Sequence, residues 1–151
     1  QSSGEAEVLI FSHEGRNLIS LGSDHTDRKL EAHSVALSKQ VCAKPAGREA
    51  WLLDDVAEHW DSLILRSWIT ENGQKTLYQE GPVGSLRHPV DLVQDHFGQT
   101  VMPEDSAMCC GTVNAIGGIR PANDLIMELH DPVLQRSLHH QYSVRVLPEI
   151  A

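Results

Sequence analysis

"GEAEVLIFSHEGRNLISLGSDHTDR", residues 4–28, decides the fold. Two apolar runs, Val8–Phe11 and Leu18–Leu21, flank the turn-forming "SHEGRN". That pattern predicts strands over 5–12 and 17–23 joined as a hairpin. Side chains alternate along a strand, so Glu5 and Glu7 share a face with their Cβ atoms ~7 Å apart. Carboxylates at the head of a buried strand are costly unless something positive meets them. Gly4 allows another backbone to come close. The second strand ends in "GSDHTDR", which brings Asp24 back toward Glu5 and Glu7, depending on register. Three carboxylates form a hard-oxygen set that suits Mg²⁺, Mn²⁺ or Ca²⁺ better than zinc. Taken alone, Glu-x-Glu also suits an edge strand with solvated charges, and Asp24 also suits a helix N-cap. Both alternatives stay open at this level.

After the hairpin the period changes. Leu30, Leu37 and Val41, with Val35 and Ala36, make an apolar stripe that predicts a helix over roughly 27–42, stopped by Pro45 and Gly47. "LDDVAEHW" reads as a short helix capped by Asp54 or Asp55. "SLILRSWI" and "KTLYQEG" flank "ENG", a hairpin signal. "HPVDLVQDHFG" predicts a helix starting at Pro89 and ending at Gly98. "SAMCCGTV", "DLIMEL" and "LHHQYSVRVL" read as three further strands, the first two separated by the turn chemistry of "GGIRPAND". Seven or eight strands against two or three short helices define a β-rich α+β class, and 151 residues fit one domain spanning 1–151.

The net charge of −9, with 21 acidic against 12 basic residues, argues against nucleic acid as a partner. No run approaches the ~20 apolar residues of a membrane span. Cys42, Cys109 and Cys110 cannot all pair, and adjacent cysteines are poor disulfide partners, so reduced thiols and a cytoplasmic location are expected. Nine histidines are scattered without the spacings of a zinc site. Trp51, Trp60 and Trp68 are expected in the core or at an interface.

Four blocks in order resemble the fumarylacetoacetate hydrolase superfamily, in particular a bacterial branch of it. They are Glu5-Ala6-Glu7, Asp24-His25-Thr26-Asp27-Arg28, Ala43-Lys44-Pro45, and the stretch from Gly111-Thr112 to Gly117-Gly118, followed by Arg120-Pro121-Ala122-Asn123-Asp124. The match departs from the family at Ser23, Asp27, Lys29, Pro45 and Val113, positions that bear on substrate more than on metal. The resemblance implies a flattened β-barrel or β-sandwich roll with metal and substrate in its mouth. Only four residues precede Glu5, so the family's N-terminal portion is expected on a separate fragment, or removed, or lacking.

The same resemblance implies roles. Glu5, Glu7 and Asp24 would hold Mg²⁺, or Mn²⁺ or Ca²⁺, against two oxygens of a 2-oxo acid or 1,3-dicarbonyl, stabilising the enolate of C–C cleavage. Lys44 would stabilise developing charge, and Arg28 would pair with a ligand or substrate carboxylate. Gly111, Thr112 and Thr26 would bind substrate. His25 is the nearest candidate base, although it neighbours Asp24 on a strand and so points the other way. A hydrolase or lyase, usually a homodimer, follows. Decarboxylation, keto–enol isomerisation and a non-catalytic binding or regulatory subunit are the alternatives on the same fold.

Overall fold

The hairpin forms as its turn chemistry requires. In the computed structural model, which describes residues 2–147, β1 (Ser2–Ser3) leads into β2 (Ala6–His13) and β3 (Arg16–Ser23), with Gly15 at φ +73° in the turn. Gln1 and residues 148–151 lie outside the described residues. β2 and β3 pair antiparallel from Ala6↔Ser23 to His13↔Arg16. β1 pairs instead with β4 (Thr26–Asp27), so the ladder is interrupted where Gly4–Glu5 faces Asp24–His25. One backbone bond spans that gap, from the Asp24 N–H to the Glu5 carbonyl at 3.1 Å.

The predicted helix over 27–42 is two helices, α1 (Arg28–Glu31) and α2 (Val35–Gln40). Ser34 is extended and its hydroxyl caps the Leu37 N–H, which restarts the helix. Asp27, not Asp24, caps α1 by accepting from the Leu30 N–H at 2.9 Å. The apolar stripe also corrects the reading: Val35, Leu37 and Val41 face solvent, and Ser38 is the α2 residue that is buried.

β5 (Trp51–Leu52) is followed by two 3-10 turns, Leu53–Asp55 and Ala57–Ser62. These replace the expected helix because no side chain caps either start. β6 (Ile64–Glu71) and β7 (Gln74–Pro82) form the predicted hairpin around Asn72 and Gly73, both at positive φ. α3 (Pro89–Phe97) begins and ends as its sequence dictates, with His88 as cap and Gly98 left-handed. β8 (Ala107–Thr112), β9 (Asp124–Asp131) and β10 (Arg136–Ser143) are the remaining strands among the described residues.

Among the described residues these strands form two open four-stranded antiparallel sheets, β5-β3-β2-β8 and β10-β9-β6-β7, beside the β1-β4 pair. The β-rich class and short helices match expectation. The sheets do not close into a barrel: β7 and β8 are edge strands of different sheets, and the isolated bridge Gln79↔Ala115 joins β7 to the segment after β8. Inward-facing Ala6, Val8, Ile10, Ile19 and Leu21 of one sheet belong to one core with Leu65, Ile69, Leu125, Met127 and Leu129 of the other. Trp51 and Trp60 are in that core, while Trp68 is half-buried under the Lys75 ammonium.

Candidate acid cluster at the ladder gap

Alternation sends Ala6, Val8 and Ile10 into the core and turns Glu7 to the opposite face of β2. Glu7 is nevertheless only 6% exposed. Across from it, β8 carries a bulge: Glu7 pairs with Thr112 and Leu9 with Cys109, leaving an extra residue on β8. Gly111, at φ +96°, takes that strained position and donates its N–H to Glu7 Oε2 at 2.6 Å. Burial raises the Glu7 pKa most; the Gly111 bond and the Lys39 charge lower it, and the Asp24 and Glu5 charges raise it, leaving it at about 7.

The register brings Asp24 beside Glu5, as the hairpin pattern anticipates. Asp24 is gripped by two ammoniums, Lys39 of α2 and Lys44, the latter at 2.9 Å. Burial would raise its pKa, but bonds from Lys39 and Lys44 outweigh that and hold it below the usual carboxylate range. Glu5 is bound by Arg28 at 2.9 Å, and Arg28 also reaches Glu31 at 2.9 Å and the Ser3 hydroxyl at 2.6 Å. Of the two partners open to Arg28 in the sequence, the structure shows the Glu5 carboxylate.

In donor type, though not in present arrangement, three carboxylates match a hard divalent cation. Three carboxylates interact electrostatically in one region, and Glu7 carries a burial cost that a cation would offset. Lys39 already acts as a positive charge among them: it touches Asp24 and feels both Glu7 and Glu5. Among the described residues, no three His, Cys, Asp or Glu side chains stand in an ion-holding arrangement as they are. Glu5 and Asp24 are turned onto Arg28 and the two lysines, so an ion would have to compete with those ammonium and guanidinium groups.

The other expected residues fall as follows. Lys44 also donates to the His25 carbonyl. The His25 ring faces away from the acids, between Tyr142 Oη at 2.8 Å and Ser2 Oγ at 2.9 Å, and burial lowers its pKa. Thr26 is buried and donates to the Asp24 carbonyl at 3.0 Å. The Thr112 hydroxyl donates to the Ala6 carbonyl at 2.7 Å. Beside Glu5 lies an open cavity of 550 Å³ lined by Thr112, Asn114, Ala115, Gly118 and Ile119. The Cys109 and Cys110 thiols are pushed up to about 12 by burial, which favours the protonated form over the nucleophilic thiolate.

Residues 1–142 match the family described as "Protein of unknown function (DUF2848)". The chain belongs to that family. No protein of curated function matches this DUF2848 chain by sequence. Its fold is shared with solved proteins, among them the following. Cg1458 superposes with a TM-score of 0.63 at 16% identity, over 91% of this chain and 58% of that one. Its inhibitor complex gives 0.65 at 15%, over 92% and 56%. A 2-keto-3-deoxy-D-arabinonate dehydratase gives 0.63 at 16%, over 91% and 51%. The DUF2848 chain thus spans a little over half the length of these structures. At such identities the likeness is one of fold, and it agrees with the sequence-based expectation at the level of layers and strand content. No helix among the described residues is long and apolar enough to cross a membrane.

Lys39 and Gln79 are the site's unanticipated members. Lys39 sits 15 residues from Asp24 across a helix break, with no spacing rule to connect them. Buried Ser38, whose face Lys39 adjoins, is the one local signal that this polar side of α2 turns inward.

Proposed function

We propose that this chain carries the acid cluster of an enzyme acting on a small 2-oxo acid or related dicarbonyl, with Glu5, Glu7 and Asp24 as ligands for Mg²⁺ or Mn²⁺. The observation that carries the reading is Glu7, a buried carboxylate that accepts from the Gly111 N–H beside the Lys39 charge and two like-charged neighbours, Asp24 and Glu5. The 2-keto-3-deoxy-D-arabinonate dehydratase on the same fold supports the substrate class. When bound, the cation would supply Lewis acidity toward the substrate oxygens.

The chain's own groups define what remains. Arg28 orients Glu5 through a direct ion pair, and the Gly111 N–H orients Glu7. Asp24 would help to hold the cation, and Lys44 and Lys39, which now pair with Asp24, would present ammoniums to the negative charge that develops on the 2-oxo oxygen. That charge appears whenever a C–C or C–H bond at the neighbouring carbon breaks and leaves its electron pair behind; in a dehydration the C–H bond supplies it, and hydroxide then leaves from the carbon beyond. Hydrolytic C–C cleavage, decarboxylation, isomerisation and dehydration are therefore variants of one demand. His25, held by Tyr142 and Ser2, serves to fix the Asp24 turn, and Thr112 borders the substrate cavity.

A non-catalytic binding subunit is the second reading. It is favoured by the ion pairs already satisfying Glu5 and Asp24. Calorimetric titration with Mn²⁺, followed by turnover assays on acylpyruvates, oxaloacetate and 2-oxo-3-deoxy sugar acids, separates the two. Ion binding lost in Glu7→Gln, with ion-dependent turnover in the unaltered chain, supports the enzyme. Ion binding without turnover supports the subunit. Binding that is absent, or undiminished in Glu5→Gln/Glu7→Gln, sinks the ligand assignment.

A further inference from the structure

We propose that Gln79 is the positioning residue of the acid cluster, a side-chain clamp between the two sheets that sets where Glu7 stands relative to Gly111. The inference rests on the ligand reading above. It starts from an anomaly in β7. Neighbours on a strand point to opposite faces, yet Tyr78 and Gln79 are both buried, at 1% and 0% exposure. The cause is a second bulge: Ser67 pairs with Gln79 but Trp68 pairs with Leu77, leaving Tyr78 extra.

The bulge drives the Gln79 amide into the space between the sheets, where all of its hydrogen-bonding capacity is used. Its Oε1 accepts from the Ala6 N–H at 2.9 Å and the Ser67 hydroxyl at 2.6 Å. Its Nε2 donates to Thr112 Oγ1 at 2.6 Å and to the Val113 carbonyl at 2.8 Å. Ala6 N–H can only donate and the Val113 carbonyl can only accept, so the amide has one orientation. Thr112 extends the chain of bonds by donating to the Ala6 carbonyl.

These contacts bracket the site. Ala6 is the residue between Glu5 and Glu7, and Thr112 follows the Gly111 bulge that feeds Glu7 its hydrogen bond. One amide therefore fixes both strands whose offset aims the Gly111 N–H at Glu7. A hydrophobic residue would fill the volume but could not hold that offset, and a fully satisfied buried amide is the arrangement in which specificity exceeds stability.

The test compares the full chain with Gln79→Met, Gln79→Glu and a core control, Leu129→Ala, whose side chain is buried in β9 away from the acids. Two readouts are taken: amide hydrogen exchange at Ala6 and Gly111, and Mn²⁺ affinity by calorimetry. Gln79→Met is expected to lose Gly111 protection and about tenfold in Mn²⁺ affinity, as outer-shell groups commonly do. Leu129→Ala should lower global stability while leaving both within about twofold once the unfolded fraction is corrected for. Gln79→Glu keeps the two accepting contacts, so Ala6 stays protected while Gly111 does not; this variant decides the matter if Gln79→Met does not fold. Gly111 protection unchanged in the Gln79 variants, or lost equally in Leu129→Ala, overturns the proposal. Absence of Mn²⁺ binding by the unaltered chain overturns the ligand reading instead, and the exchange data still decide the role of Gln79 in placing Gly111.

Discussion

Glu7 and Asp131 are both withdrawn from water, and they are held in opposite ways. Asp131, fully buried at the end of β9, receives the Val133 and Leu134 N–H groups and the His59 ring, each at about 3.0 Å, with Arg136 at 3.4 Å. Burial alone would raise its pKa, but the Leu134 N–H, His59 and the Val133 N–H outweigh that and hold it below the usual carboxylate range. Glu7 accepts from the Gly111 N–H, feels the charge of Lys39, which is bonded to Asp24, and has two acidic neighbours; burial most of all raises its pKa to about 7. The contrast teaches that burial of an acid is not itself a sign of function. A turn acid is given all the donors it needs, whereas Glu7 is left short, and that shortfall is what a cation would fill.

The largest expected effect breaks the comparison on the satisfied side. Asp131→Ala strands His59 and Arg136 and should destabilise the protein by about 3–5 kcal/mol in urea melts at neutral pH. Because the folded pKa is depressed, the Asp131 contribution is present above the ordinary 3.8 and lost as pH falls through the folded value. The acid limb of the stability curve should therefore flatten in Asp131→Asn.

On the unsatisfied side the sign reverses. A Glu7 pKa raised from 4.5 to about 7 means that, without divalent ion, stability falls as pH rises through that interval. At about 1.4 kcal/mol per tenfold, the ceiling is about 3 kcal/mol. Glu7→Gln, which keeps an acceptor for Gly111, should remove this slope and leave the ion-free protein more stable at pH 8. Equal slopes in both proteins would show that Glu7 ionises freely.

A divalent ion should then sharpen the difference. At a hundredfold excess over Kd, Mn²⁺ should stabilise the unaltered chain by about 2.7 kcal/mol and leave Glu7→Gln unmoved in thermal melts. The smallest effect belongs to an acid that water already serves: in the exposed pair Arg87–Asp95, Arg87→Ala should give no resolvable change in melting temperature.

The parts legible in the sequence are those decided by neighbours along the chain. The Glu14-Gly15 and Asn72-Gly73 turns, and the His88 start and Gly98 stop of α3, depend on a few adjacent dihedrals and caps. The hairpin pattern allows Asp24 to meet Glu5 but leaves the register open, and the ladder ends one pair short of them. The helix over 27–42 was misread because an apolar stripe carries no record of which side the protein covers. Here the covered side is that of Ser38, which puts Lys39 on Asp24. The bulges at Gly111 and at Tyr78 were equally invisible, since each depends on the register of a partner strand dozens of residues away. Gln79 looked like an ordinary strand residue until that register was known.

Gly4 carries a consequence for how the chain comes into being. A Cβ there would collide with the Tyr142 hydroxyl and would stand 2.9 Å from Ser23 Oγ, while that same hydroxyl bonds Ser23 at 2.8 Å and His25 at 2.8 Å. The acids and lysines of the cluster all lie between Glu5 and Lys44, yet the residue that roofs their ladder gap, Tyr142, sits far later in the chain on β10. During synthesis the cluster is therefore translated early and enclosed late. A nascent chain halted after β9 holds every charge of the site but lacks the hydroxyl that locks them in register.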